Sequence, residues 1–383
     1  MTGSGDGPGR ELPRLALLRE LTDGTVLEQV FTHGRVTRFE LAATTGISKP
    51  TISESVRRLE LGGVLVSAGE MGGRRGRVPT YYELSGQAGW VFGLEVDQAG
   101  TRVQGVDLMG KMFLDNNYPP VEPGDASSQI RLLHRVVRSA VKAGTGAHGQ
   151  LRAAAFSVAN PVDPVSQAII AMPDSPFPEG HVRIDELLPD VGGVNLLIDN
   201  DVNFAALAER AFGLARDVSS FAYLYVGAGM GMGLFIGDQL VRGAHGLAGE
   251  VGELTAPAAR RPTLARVLSD AGFGGSDAPA VDVDAVLALL DSPGAHAQRI
   301  GRMAAAVADA IRATCAVVDP ELIVLGGPIG SHPVMVEKVR TQVGASWPGP
   351  LRIERSALGK WPALQGSVRA ALERGRVALV RGS

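Results

Sequence analysis

The chain has 383 residues, a length that fits two or three domains. Hydrophobic residues make up 45% and charged residues 20%, as in ordinary globular proteins, and no run of about 18 apolar residues that could cross a membrane occurs. The single cysteine, Cys315, excludes an intrachain disulfide and a cysteine-based zinc cluster. We therefore expect a cytoplasmic protein without a membrane partner.

The charge is unevenly distributed along the chain. Residues 1–14 are Gly-rich and lack the apolar core of a secretory signal, so we expect a disordered leader. The net charge is −3, yet residues 35–77 contain eight Lys or Arg residues against four acidic ones. A basic module on an acidic body is typical of a modest DNA binder.

Residues 15–85 have the pattern of a winged helix-turn-helix domain. Residues 25–32 place apolar side chains at helical spacing. Thr37 and Glu40 form a capping box for a short helix, and Ser48 caps a second helix directly after it. Two capped helices joined by a tight turn predict a helix-turn-helix, whose second helix enters the major groove of DNA.

A predicted wing follows these helices. Short strands at 64–66 and 80–84 flank the tip at 72–77, whose sequence Gly-Gly-Arg-Arg-Gly-Arg is slim enough to enter an A/T-rich minor groove. A small helical adaptor with a merely solvated charged surface is the alternative interpretation. The expected DNA contacts are Arg38, Lys49, Thr51, Ser53, Arg57, Arg58, Arg74, Arg75 and Arg77.

The rest of the chain alternates between strand and helix patterns. Strands are predicted at 90–96, 101–108, 153–158, 195–198, 221–226, 233–236 and 322–325, and helices at 128–143, 204–212 and 298–318. The order of hairpin, helix and strand occurs twice, which indicates a duplicated architecture with a cleft between its halves. We expect one lobe at 88–200 and a second at 201–375.

Three polar motifs lie in this body. Asp201 follows a strand and could accept a proton from a bound hydroxyl, while Asn200 bonds a neighbouring one; plain helix capping is the alternative. His245 and Glu250 could bind vicinal hydroxyls, although such residues are also common on solvated loops. A Gly-rich run could cradle a phosphate or simply form a hairpin turn. Its glycines are Gly227, Gly229, Gly231 and Gly233.

In this order, the motifs resemble the ROK family of repressors, open reading frames and kinases. They are Ile-Asp-Asn-Asp-Val-Asn from residue 198, Gly-Ala-Gly-Met-Gly-Met-Gly from 227, Gly-Leu-Ala-Gly-Glu-Val-Gly from 246 and Glu-Leu-Ile-Val-Leu-Gly-Gly from 321. The resemblance implies an α/β, actin/hexokinase-like body, which is a duplicated ribonuclease H-like fold, with a sugar bound between two lobes and frequent dimers. Asp201 would match the kinases' catalytic base, and Asn200 and Glu250 would match sugar contacts.

The chain also departs from the family pattern. Glu95 and Asp97 stand in the first phosphate loop, and Asp97 would repel a triphosphate. Glu253 replaces a histidine that binds zinc and sugar in the family, and the Cys-rich zinc loop is absent. We therefore expect no metal, no cofactor and no enzyme activity, with Asp201 as a vestigial base.

These observations predict a regulator, usually a repressor in this family. Two protomers, or a higher homo-oligomer, would bind a palindromic operator in double-stranded DNA. A sugar or sugar-derived effector would occupy the degenerate cleft. The expected ligand contacts are Asn200, Asp201, His245, Glu250 and Glu253. Two alternatives remain open, namely an active ATP-dependent sugar kinase with a DNA-binding extension and an orphan regulator that no longer binds sugar.

Overall fold

The computed structural model describes residues 12–70, 79–97, 100–121, 126–170, 172, 194–255, 263–271 and 281–382. The helices are α1 (Leu12–His33), α2 (Arg38–Thr45), α3 (Lys49–Leu61), α4 (Ala126–His148), α5 (Asp201–Phe212), α6 (Leu264–Ala271), α7 (Val283–Asp291), α8 (Ala297–Val318), α9 (Pro333–Gly344) and α10 (Pro362–Arg381). The strands are β1 (Arg35–Thr37), β2 (Leu65–Glu70), β3 (Thr80–Leu84), β4 (Trp90–Asp97), β5 (Gly100–Asp107), β6 (Met112–Tyr118), β7 (Leu151–Val158), β8 (Asn195–Asn200), β9 (Phe221–Val226), β10 (Met230–Ile236), β11 (Gln239–Val241), β12 (Leu322–Gly326) and β13 (Arg352–Arg355).

The amino-terminal unit is a winged helix-turn-helix. Helices α1 to α3 bury apolar side chains such as Leu27, Ile52 and Leu59, and an antiparallel sheet of order β1-β3-β2 completes the unit. The predicted pair of helices and the two wing strands are confirmed. Helix α1 begins at Leu12 rather than near residue 25, so residues 12–14 of the expected leader are helical. Strand β1, which pairs with β3, is absent from the sequence prediction.

The body contains two five-stranded sheets with the same topology. One has the order β6-β5-β4-β7-β8 and the other β11-β10-β9-β12-β13. In each sheet three antiparallel strands are followed by two parallel ones, so the predicted duplication is confirmed. Strands β6, β11 and β13 are not predicted from the sequence, because β6 is largely exposed and the other two are short.

The carboxy-terminal helix α10 packs on the sheet of the first lobe, although its position in the chain places it in the predicted second lobe. Its Leu364 donates a backbone N–H to Glu95 Oε2 of β4 at 3.0 Å, and Arg376 Nε donates to the Leu108 carbonyl at 2.9 Å. Its buried face, including Ala371, shares one core with small residues of β7 such as Ala153. Small side chains on both surfaces let the helix lie close to the sheet.

Candidate functional site

A cavity of about 1090 Å³ lies between elements of the two lobes. It is lined by the end of β4, the junction of β8 and α5, the β9–β10 turn, residues 250–253 and the start of α10. Strand ends, turns and helix starts carry the side chains and free backbone groups that can bind a small molecule. The volume is large enough for a mono- or disaccharide.

Four of the five predicted ligand residues lie together on this wall: Asn200, Asp201, Glu250 and Glu253. His245 does not belong to the described lining residues, and its side chain is exposed. Its loop instead packs through Gly246, where an added Cβ would lie 2.0 Å from the Val162 carbonyl oxygen. That close approach buries Gly246 and leaves its neighbour in solvent.

The junction of β8 and α5 combines capping with a rigid anchor. Asn200 Oδ1 and Asp201 Oδ1 accept the N–H of Val202 at 2.9 and 2.7 Å, so the capping interpretation of both residues is confirmed. Capping does not exclude ligand contact, since both residues also line the cavity. The buried carboxylate of Asp199 accepts from Arg242 Nε at 2.7 Å and thereby holds the junction in place.

Three carboxyl groups in the cavity have raised pKa values. Burial, followed by the negative charges of Asp97 and Asp201, raises the pKa of Glu95 to about 8. Burial likewise raises the pKa of Asp201 to about 7. The pKa of Glu250 rises to about 7 through burial and the charges of Asp201 and Glu253. Near neutral pH these groups exist in both protonation states, so they can donate to or accept from the polar groups of a ligand.

The Gly-rich turn is shorter than the sequence suggests. Strand β10 begins at Met230, so Gly231 and Gly233 lie inside the strand and not in a phosphate-binding turn. A Cβ at Gly233 would lie 2.5 Å from the Val202 carbonyl oxygen, which means that this glycine lets β10 pack closely on α5. Of the predicted phosphate-loop glycines, Gly227 and Gly229 remain in the turn.

Two tyrosines that the sequence analysis does not single out occupy the side of the cavity next to this turn. The Tyr225 hydroxyl packs closely against Gly227, since a Cβ added to this glycine would lie only 2.4 Å from the hydroxyl oxygen. The same hydroxyl forms a hydrogen bond with the backbone of Ala228. The Tyr223 hydroxyl lies against Gly326 in the same way. A phenol therefore already engages the turn that would have to meet a phosphate. Both residues lie on β9 two positions apart, a spacing that places them on one face of the strand.

The predicted DNA-reading helix α3 presents its amino-terminal end to solvent. The predicted capping box of the preceding helix α2 is present: the Glu40 backbone N–H donates to Thr37 Oγ1, and the Thr37 N–H donates to Glu40 Oε2. Ser48 caps α3 and accepts from the Thr51 N–H. Lys49 and Thr51 are exposed at the start of α3. The predicted contact Ser53 is partly buried in the same turn. These short side chains leave the helix end accessible to a groove.

Three predicted arginine contacts are engaged within the domain. Arg58 donates to the buried carboxylate of Asp23 through Nη2 at 2.6 Å and Nε at 3.2 Å, so it joins α3 to α1 and does not extend towards a phosphate. Arg38 lies over the Tyr82 ring and pairs with Glu60 at 3.2 Å. These pairs join segments far apart in sequence, which a local pattern does not reveal. The third is Arg57, an exposed residue that pairs with Glu54 at 2.8 Å on the same helix.

The predicted wing contacts Arg74, Arg75 and Arg77 lie outside the described residues. An exposed aromatic ring near α3 is not among the sequence predictions: Phe39 is 66% exposed, and the Lys49 ammonium lies 5.4 Å from its centroid. A large apolar side chain that is this exposed often marks an interaction surface. We therefore add Phe39 to the candidate nucleic-acid surface.

Helix α10 connects the cavity to the winged helix-turn-helix. Pro362 and Ala363 at its start line the cavity. Near its other end the Arg376 guanidinium lies 4.5 Å from the centroid of Phe31 in α1. The same arginine bonds the carbonyl of Leu108 in the first lobe, so one side chain contacts both units.

Comparison with known proteins agrees with both parts of this architecture. The family model described as ROK family matches residues 96–269, and the model described as winged helix-turn-helix DNA-binding matches residues 19–66. Residues 96–269 therefore form a ROK family domain, which follows a winged helix-turn-helix domain at residues 19–66.

Curated proteins similar to this chain include repressors and an enzyme. The putative xylose repressor of Caldicellulosiruptor sp. strain Rt8B.4 is 25% identical over 241 residues, which are 63% of this chain and 60% of that protein. The xylose repressor of Bacillus subtilis strain 168 is 24% identical over 62% of this chain and 61% of its own length. The bifunctional enzyme NanE/NanK of Brucella suis is 32% identical over 40% of this chain and 30% of its length. The chain thus spans about three fifths of the length of these repressors.

Solved structures place the chain in the actin/hexokinase-like fold. A ROK family transcriptional regulator, described as a homologue of the E. coli MLC protein, superposes with a TM-score of 0.67 at 16% identity and covers 95% of this chain and 100% of that one. A ROK family glucokinase from Streptomyces griseus, solved with glucose and AMPPNP, has a TM-score of 0.57 at 18% identity and covers 74% of this chain and 100% of its own. At such identities the likeness is evidence for the fold.

The described residues also bear on metal and membrane binding. There, no helix is both long and apolar enough to cross a membrane. The same residues contain no group of three or more His, Cys, Asp or Glu side chains that could hold a metal ion. Residues 257–262, which replace the family's zinc loop, lie outside the described ranges.

Proposed function

We propose that this ROK family protein is a DNA-binding repressor that responds to a sugar-like ligand in its interlobe cavity and does not phosphorylate it. The observation that carries this proposal is the path of α10, which begins at the cavity wall and ends against α1 of the winged helix-turn-helix. A ligand that binds one arrangement of the lobes better than another would shift α10 and, with it, the DNA-binding unit.

The DNA-binding role rests on the free end of α3. Lys49 and Thr51 are exposed there, where a recognition helix contacts base edges. Arg57 is exposed about two turns further along the helix, where opening of its pair with Glu54 would free it for a phosphate. The arginines of the wing tip, Arg74 and Arg77 among them, would add contacts to an A/T-rich minor groove. Two protomers, each with one such helix, would bind the halves of a palindrome.

The effector role rests on the cavity. Asn200, Asp201, Glu250 and Glu253 offer carboxyl and amide groups of the kind that bind hydroxyls. The names of the xylose repressors support a sugar as the class of ligand.

The proposal that the protein is not a kinase rests on the part of the cavity wall next to the Gly-rich turn. The Tyr225 hydroxyl engages Ala228 in the Gly-rich turn, and the carboxyl groups of Glu95 and Asp97 line the wall that a phosphate would approach. Negative charge at that wall disfavours a bound triphosphate. Asp201 and the remaining turn glycines favour the second candidate, an active sugar kinase. Sugar-dependent ATP turnover that disappears in Asp201→Asn would establish the kinase and overturn this part of the proposal.

The test of the repressor is a titration of the full chain with a duplex from its own upstream region, at several salt concentrations, with and without a panel of sugars. We expect salt-sensitive binding that at least one ligand weakens. Arg376→Ala should keep DNA and ligand binding but lose the coupling between them. The control Arg374→Ala changes an exposed arginine of the same helix that does not line the interlobe cavity.

Absence of duplex binding at every salt concentration would contradict the proposal as a whole. Full coupling in Arg376→Ala would contradict the path through α10. Measuring the melting temperature with each sugar distinguishes a sugar-responsive repressor from the orphan alternative, because a true ligand raises the melting temperature by mass action. If DNA binds but no member of the sugar panel shifts the melting temperature, the protein is an orphan regulator.

A further inference from the structure

The wall of the cavity has a strong excess of acidic over basic side chains. Among the described lining residues, seven are acidic and two are basic. The acidic ones are Glu95, Asp97, Asp201, Glu250, Glu253, Asp282 and Asp284. Of the basic ones, Arg266 pairs with Asp270 at 2.9 Å, and Lys360 is exposed. Neither neutralises the interior of the cavity.

The most buried of these acidic residues receives few hydrogen bonds or positive charges from the described part of the protein. Glu95 is 7% exposed, and among the described contacts only the N–H of Leu364 donates a hydrogen bond to it. The nearby Arg102 guanidinium is already bound to Asp115 by two hydrogen bonds of 3.0 and 2.8 Å. A carboxyl group taken out of water is unfavourable unless a positive charge or several donors satisfy it.

A second, independent feature marks the same wall as a binding site. The Tyr223 hydroxyl is fully buried, lines the cavity and has no hydrogen-bond partner within the described part of the chain. Buried polar groups of native proteins are nearly always hydrogen-bonded, so an unpaired hydroxyl on a cavity wall indicates a ligand group. The indole of Trp361 on the same wall already has the Arg102 guanidinium 5.2 Å from its ring centroid, so a sugar ring would have to pack on its other face.

We propose that the cavity binds a positively charged polyol, namely an amino sugar with a free primary ammonium group, and that this group lies against Glu95. This inference rests on the proposed function and names the chemical class of its effector. An ammonium group supplies the charge and three donors that the buried carboxyl groups lack. The ring hydroxyls would then contact Asn200 and Glu250 on the opposite side of the wall.

The competing ligand classes fit less well. A sugar phosphate would bring negative charge into a wall that already carries an excess of it. A neutral sugar could bind Asp201 and Glu250 but would bring no positive charge that favours ionisation of the buried Glu95. A metal ion lacks a site, because no three acidic, His or Cys side chains in the described ranges could hold one. The pKa of Glu95, raised to about 8 by burial and by Asp97 and Asp201, would fall when an ammonium group binds.

The test compares matched sugars by calorimetric titration of the full chain. Glucosamine, galactosamine and mannosamine are each paired with the N-acetyl derivative, which keeps the ring but lacks the charge, and with the neutral hexose and the 6-phosphate. We expect at least one free amine to bind at least tenfold more tightly than its N-acetyl, neutral and phosphorylated counterparts. Glu95→Gln should remove this preference, whereas Glu28→Gln, an exposed change on α1, should preserve it.

Equal or tighter binding of the N-acetyl or neutral member would overturn the inference, as would a preference for amines that survives in Glu95→Gln, or no binding of any sugar. If the chain still binds its duplex, the first two results leave the sugar-responsive repressor intact, whereas the absence of any sugar binding would leave the orphan regulator. Loss of duplex binding, in contrast, would refute the proposed function whatever the sugars do. The two failures are therefore distinguishable.

Discussion

Replacement of Glu95 by glutamine should stabilise the protein at alkaline pH and have little effect at acidic pH. The side chain is buried, and its pKa is about 8 in the folded protein against an ordinary value of 4.5. The folded state therefore holds a proton that the unfolded chain releases between these values, and the free energy of unfolding falls as the pH rises through that window. The contribution of Glu95 to this free energy is most favourable below pH 4.5 and reaches its lower level above pH 8.

The size of the effect follows from the same two pKa values. Each unit of difference corresponds to about 1.4 kcal/mol, so the ionisable carboxyl group costs up to about 4 kcal/mol at pH 8. Glutamine avoids this cost because it does not ionise, and its side-chain carbonyl can still accept the Leu364 N–H. The melting temperature of Glu95→Gln should exceed that of the parent by roughly 8 °C at pH 8 and should match it near pH 5.

Differential scanning calorimetry between pH 5 and pH 8, without ligand, measures this difference. Glu28→Gln makes the same chemical change at an exposed position and should follow the parent at every pH. Two results would contradict this prediction. The melting temperature of Glu95→Gln could exceed that of the parent by the same amount at every pH, or it could lie below that of the parent at pH 8. The first result would show that the carboxyl group is ionised throughout, and the second that its charge is compensated within the protein.

Three further perturbations follow from the described contacts. Asp23→Ala leaves a half-buried guanidinium without its carboxylate and should lower the free energy of unfolding by about 3 kcal/mol, whereas Arg57→Ala, at an exposed pair, should change it by less than about 1 kcal/mol in thermal unfolding. Lys49→Ala should relax the base preference, measured by fluorescence anisotropy as the affinity ratio between the operator and duplexes with single altered base pairs; an unchanged ratio would exclude a base contact. Gly246→Ala should lower the melting temperature more than Gly237→Ala, because both have positive φ but only the first places a Cβ against a backbone oxygen; equal losses would contradict this.

Some features of the protein are local, and the sequence predicts them well. The capping box of Thr37 and Glu40 and the cap at Ser48 lie within four residues of their partners, so both helix starts follow from the printed sequence. The duplicated order of strands and helices is likewise visible, because alternating apolar patterns depend on near neighbours. The cluster of Asn200, Asp201, Glu250 and Glu253 could be predicted only through the family resemblance, since these residues come from separate elements.

Other features depend on contacts between distant segments, and only the tertiary structure decides them. Arg58 pairs with Asp23 35 residues away, which turns an expected DNA contact into an internal link. Tyr225 fills the Gly-rich turn because β9 aims alternate side chains at it, and the same turn ends early because β10 packs on α5. Helix α10 lies on the first lobe because its small buried residues match that sheet. The physical reason is common to all three: a side chain's charge and shape are fixed by the sequence, but its partner is fixed by the packing of the whole chain.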